Sequence, residues 1–246
     1  MQNLNREQYT TAMEGWVYAK TNLKSLEELF PANHIFNIST EQVDWLRKTN
    51  ANKEFCAEVG VVEGRLSIML SALDEKGNRI AVGEVPYSVF EPLKEDITLT
   101  ETQTYSVVKK VVLSKDMRKI DNDSDMYYPI ANKPIMEQDK AVDSIESWQN
   151  NGQDWFYAEY KQNGGKGIFN KFYVPADKIC NGDQQFSFVC SFGLKYSEIY
   201  QKQLPALIFI GVHNNLGGSV ETISNTYDYA KPCPPICKIP DFGIDE

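Results

Sequence analysis

Two cysteines four residues apart around a proline pair, Cys233-Pro234-Pro235-Ile236-Cys237, are the most distinctive chemical motif in the chain. Thiols at that spacing can hold a soft metal ion or close a local disulfide. A tetrahedral zinc site needs about four ligands, and no second close Cys/His pair supplies the rest. His213 and Cys190 complete a set only if the fold carries them there. Cys233, Cys237 and His213 are therefore the candidate metal ligands, and no other cofactor is implied. The spacing differs from the C-x-x-C of thioredoxin-like redox sites. Prolines keep the segment extended and free of ladder hydrogen bonds. The plain expectation is a rigid tail with two packed or oxidised thiols.

His34 and His213 are the only histidines. A hydrolase of the Ser-His-Asp or Cys-His kind needs one of them as its base. His213 follows the apolar run 207–212, at a strand end. No G-x-S-x-G motif accompanies it, so ordinary loop histidines are the expectation for both. Asp121-Asn122-Asp123-Ser124-Asp125 begins like a calcium loop, but Met126 stands where glycine is needed and Asn132 where glutamate is needed. That segment reads as a solvated acidic loop. Asn163-Gly164-Gly165-Lys166-Gly167 lacks phosphate-loop spacing and leads into a strand, so it reads as a helix-to-strand turn. The aromatics cluster from Trp148 to Tyr160, at Phe169-Phe172-Tyr173, at Phe186-Phe188-Phe192 and at Tyr196-Tyr200. Such residues line sugar or peptide grooves, but burial in a core is their usual fate.

The elements that must position these groups follow from periodicity. Tyr9, Ala12, Met13, Trp16 and Val17 form one apolar helix face, with Asn5 as N-cap. A second helix covers 23–30, and Pro31 stops it. Phe36-Asn37-Ile38 is extended. Ser39 and Gln42 form a capping box for a helix running to about Thr49. Residues 55–62 and 66–73 read as strands, Asp74 to Asn78 as a turn, and 79–89 as extended.

The second half repeats this plan. Ala141, Ile145 and Trp148 keep the spacing of Tyr9, Met13 and Trp16. Residues 155–160 stand where the second helix stood. Phe172-Tyr173-Val174 matches Phe36-Asn37-Ile38. Phe188 and Gly193 answer Phe55 and Gly60, and 207–212 answers 68–73. A constant offset then pairs Tyr87 with Tyr227 and Pro92 with Pro232. Positions shared by both halves are fold positions, and unshared ones, the Cys233/Cys237 pair above all, are the better functional candidates. The fold class expected is α+β: two tandem, duplicated units with mostly antiparallel sheets covered by helices. Their bounds are 1–95 and 134–246, the second with the Pro/Cys tail, joined by a connecting region 96–133. The run 207–210 is apolar on both faces, which suits a strand between helices and the partner half.

Composition bounds the rest. A formal charge of −9 over 246 residues argues against a nucleic-acid partner, which needs a basic face. The longest apolar run, 204–212, falls short of the roughly 20 residues a membrane helix needs. No apolar stretch follows a basic start at 1–8, so no secretory signal is read and a cytoplasmic protein is expected. Five thinly spread cysteines do not make a disulfide framework. The functional expectation is a non-enzymatic binding or scaffolding module. Its site would lie between the related halves, for a protein partner, a second copy or a small molecule. The alternative is an enzyme, either a hydrolase using His213 or one with thiol or metal chemistry at Cys233 and Cys237.

Overall fold

The computed structural model describes residues 1–97, 104–107, 112–113, 119–120, 129–132, 138–180, 186–213, 226–228 and 230–237. The first half holds β1 (Asn3–Asn5), α1 (Arg6–Ala19), α2 (Leu23–Leu29), β2 (His34–Ile38), α3 (Thr40–Thr49), β3 (Glu54–Val62), β4 (Arg65–Ser71) and β5 (Glu84–Pro92). Short strands follow at β6 (Thr104–Val107), β7 (Val112–Leu113), β8 (Lys119–Ile120) and β9 (Pro129–Asn132). The second half holds α4 (Gln138–Asn163), β10 (Lys171–Pro175), α5 (Ala176–Cys180), β11 (Phe186–Ser197), β12 (Lys202–His213), β13 (Thr226–Asp228) and β14 (Lys231–Cys233).

The expected caps form. Asn5 accepts the Gln8 N–H at 2.9 Å while the Gln8 side chain accepts the Asn5 N–H at 3.0 Å. Ser39 and Gln42 do the same for α3. Each box satisfies two N–H groups that a helix start leaves open. One helix expectation is corrected: α4 is continuous through 155–160. No proline interrupts it, and the Trp148 ring lies over Gly152, where an added Cβ would sit 3.1 Å from it.

The expectation of two sheets is also corrected. One antiparallel sheet runs β13-β12-β11-β2-β5-β4-β3-β10-β14, with β1 added beside β5. Its two ends come back near each other, so the sheet is a nearly closed barrel. The halves interleave: β2 lies between β5 and β11, and β10 lies between β3 and β14. Neither half therefore has a complete sheet of its own.

The pairings repeat across the two junctions. Phe36, Asn37 and Ile38 pair with Cys190, Val189 and Phe188. Phe172, Tyr173 and Val174 pair with Ala57, Cys56 and Phe55. Gly60 pairs with Ser67 and Gly193 with Ala206. A Cβ on Gly60 would meet the Met69 side chain at 2.6 Å and Ala12 Cβ at 3.1 Å; one on Gly193 would meet Ile208 at 2.6 Å and Ser144 at 3.2 Å. Both glycines let a helix cross close to its strand. Beyond β12 the constant offset slips. Met69 faces Tyr87, but Ile208 faces Asp228 instead of Tyr227.

A single central core joins the halves. Phe30 touches the rings of Trp16, Phe90, Trp148, Phe156, Phe169 and Phe192 at centroid distances of 4.6 to 6.3 Å. Leu207 and Phe209 point into this core. Ile208 and Ile210 point the other way, into a cluster with Ala141 and Ile145 of α4. The two-faced apolar run of β12 is thus explained as expected. Among the described residues no helix is long and apolar enough to cross a membrane.

Candidate functional site at the sheet seam

β5 is held along its length. Val89, Ser88 and Tyr87 pair with Ser67, Ile68 and Met69 of β4, and its last residues, Phe90 to Pro92, pair with β2. In the second half the equivalent chain is split. β13 pairs with β12 at 208–210, whereas β14 leaves β12 and pairs with β10. Residues 204–206 of β12 and 230–232 then face each other across a cleft of about 260 Å³. Pro205 and Pro232 line it and have no N–H to donate, so a ladder cannot zip there. Leu204, Ala206, Ala230 and Ile236 complete an apolar wall, with Tyr196 at its mouth. The β11–β12 hairpin beyond it exposes Tyr196, Ile199 and Tyr200, Ile199 to 88%.

Of the cysteine motif, Ile236 lines this cleft. Cys233 and Cys237 are joined in a disulfide. Cys233 is buried in a cluster with Cys56, Leu73 and Tyr173, while Cys237 is exposed. The Ile236 N–H donates to the Pro232 carbonyl at 2.9 Å, and the Asn170 N–H to the Cys233 carbonyl at 2.7 Å. The local-disulfide expectation is the one this structure realises. The proposed metal set of Cys233, Cys237 and His213 is not brought together. The two sulfurs are bonded to each other, so neither offers a thiolate. His213 ends β12 opposite Phe186, whereas the cleft lies at the other end, where Leu204 pairs with Lys195. At ~3.3 Å per residue, the span from Leu204 to His213 is on the order of 30 Å. Cys190 is fully buried in the central core. Among the described residues no group of three or more His, Cys, Asp or Glu is placed to hold a metal.

The remaining sequence candidates are structural. His34 opens β2, its Nδ1 2.8 Å from the Ala32 carbonyl and its ring beside Phe90. Burial pushes the Cys180 thiol up to about 11, with Arg47 opposing. It raises Cys190 well above its ordinary range. Neither is an activated nucleophile. Asn163-Gly164-Gly165 makes the expected turn. Gly165 has φ +79°, and an added Cβ would collide with the Lys20 carbonyl. The acidic loop 121–125 lies outside the described residues, as does most of the connecting region 96–133. The aromatic clusters are mainly core, as their usual fate implies, with Tyr157, Tyr196 and Tyr200 as exposed exceptions.

One polar cluster went unread. The Tyr9 hydroxyl donates to Glu58 Oε2 at 2.8 Å, and the Ser71 hydroxyl donates to the same oxygen. The Arg79 guanidinium lies 3.8 Å over the Tyr9 ring, with Nε 3.8 Å from Glu58. Burial, then the Glu58 charge, raises the Tyr9 hydroxyl above its ordinary range. By strand register and helix spacing, Ala141, Ser191 and Ile210 take the places of Tyr9, Glu58 and Ser71 in the second half. A glutamate in the middle of an otherwise apolar strand was the available signal. The cluster clasps α1 to β3 with its carboxylate oxygen fully engaged.

No family model matches the chain, and neither a curated protein nor a solved structure matches it.

Proposed function

We propose that the protein is a non-enzymatic binding or scaffolding module built on an internal duplication, and that its ligand face is the cleft between β12 and β14. The occupant we favour is an apolar anchor side chain of a protein partner. The observation that carries this reading is the cleft itself, an apolar recess beside a hairpin that exposes Tyr196, Ile199 and Tyr200. Contiguous apolar surface of that kind marks interaction sites, and tyrosine is enriched at them. The site sits at a junction of the duplicated plan, within the second half instead of between the halves. The repeated strand registers and the matched glycines, Gly60 and Gly193, support the duplication.

A random peptide library panned against the full chain tests the reading. Selected peptides should share an apolar anchor. Their affinity should fall at least about tenfold, ~1.4 kcal/mol, in both Tyr196→Asp and Ile236→Asp. Binders indifferent to both substitutions would place the ligand face elsewhere.

A further inference from the structure

We infer that the Cys233–Cys237 disulfide is a thiol-exchange site, at which an incoming thiolate attacks Cys237 and Cys233 is the sulfur that leaves. This goes beyond the binding reading and does not depend on it. Exchange requires access to the attacked sulfur along with a tolerable leaving group. Access separates the two cysteines: Cys237 is exposed, and Cys233 is 6% exposed beneath the strand edge. Lys171 is the β10 residue directly opposite Cys233. Paired residues share a sheet face, and Lys171 Nζ lies 5.1 Å over the ring of Tyr173, which shares a cluster with Cys233; a cation on that face favours a departing thiolate.

The step balances without a metal. The co-reactant is a low-molecular-weight or protein thiol. Its thiolate forms a bond to Cys237 Sγ as the Cys233–Cys237 bond breaks, and Cys233 leaves as a thiolate that takes a proton from water. A second thiolate then attacks the mixed disulfide, releasing Cys237 and the oxidised thiol pair. The protein gains two electrons and the thiols lose two. Exchange also acts on the cleft. Pro234 and Pro235 have no N–H, and the backbone bond from Ile236 to the Pro232 carbonyl spans the loop the disulfide closes. Ile236 lines the cleft, so opening the disulfide loosens one wall of it.

Reduced glutathione is the probe. The full chain is incubated with limiting glutathione, acid-quenched, alkylated and read by peptide mass spectrometry. Glutathione is expected on Cys237 and the alkyl group on Cys233, with about a tenfold excess over the reverse pattern, because attack follows access. With oxidised glutathione as the probe, the free Cys237 thiolate of Cys233→Ser should exchange to a mixed disulfide with release of one reduced glutathione, and Cys237→Ser should take up at least about tenfold less. An equal or reversed distribution in the native chain overturns the assignment, and so does a native chain in which both residues are free thiols. The native-chain distribution decides the matter even if a variant fails to fold.

Discussion

β5 and the stretch from β13 to β14 make like strand pairings, yet one is continuous and the other interrupted, and the cleft beside each differs: about 300 Å³ and polar against β5, about 260 Å³ and apolar against β14. β5 is a single nine-residue strand, hydrogen-bonded to β4 and then to β2. Its counterpart divides into two three-residue strands that bond to β12 and to β10 in turn. The chemistry of the edge accounts for the difference. The continuous side pairs Ser67 with Val89, both with N–H groups available. The interrupted side presents Pro205 and Pro232, which cannot donate. A strand that cannot complete a ladder leaves apolar side chains without a neighbour, and the cleft is the result. The disulfide closes the loop after β14 and does not bridge the seam.

The largest expected effect tests whether the two regions belong to one body. Phe30 lies among rings from both halves, so Phe30→Ala should cost about 3–5 kcal/mol, the usual range for a buried phenylalanine. Urea unfolding followed by circular dichroism and by tryptophan fluorescence should keep one coincident transition. Two separated transitions would mean that the halves fold independently. Next are the matched glycines. Gly60→Ala and Gly193→Ala each force a helix off its strand, at ~1–3 kcal/mol by the cost of overpacking. Equal losses sharpen the equivalence of the halves, and a large loss at only one breaks it.

Of comparable size is Tyr9→Phe, which removes one donor from the buried Glu58 carboxylate. A loss of ~1–3 kcal/mol is expected for a charged hydrogen bond, and an unchanged urea midpoint would show the clasp to be idle. The smallest effect is with alkaline pH. Cys180, Cys190 and Tyr9 all have raised folded-state pKa values. The unfolded chain therefore releases these protons first. Stability is intact below the ordinary thiol range and falls as pH climbs through about 9 towards 11. Cys180→Ala should flatten part of that fall, and an unaltered profile would assign the loss to other groups.

Much of the first half was legible in the residues. Asn5 and Ser39 announced their caps, Pro31 its stop, and Asp74 to Asn78 its turn, because each is a local device read within a few positions. Phe172, Phe188 and Gly193 were matched to Phe36, Phe55 and Gly60 by residue type and spacing, and these residues stand in like strand pairings. That β2 and β10 exchange between halves was not legible, since strand partnership depends on contacts far apart in the chain and alternation is the same for any partner. The slip after β12 escaped the constant offset for the same reason. Cys233 and Cys237 were singled out correctly as a chemical motif, and their disulfide was among the options. His213 was grouped with them by residue type alone, while the length of β12 places it at the opposite end. The cleft was hidden because it is a missing pairing, which only the assembled sheet reveals.

The most direct test of the split seam is amide NMR mapping with anilinonaphthalene sulfonate, a dye that reports accessible apolar surface. Saturable shifts are expected at 195–197, 204–206 and 230–236, with residues 87–89 beside the polar cleft unmoved. Equal shifts at both clefts, or shifts confined to 87–89, would contradict the assignment of the apolar cleft as the ligand face.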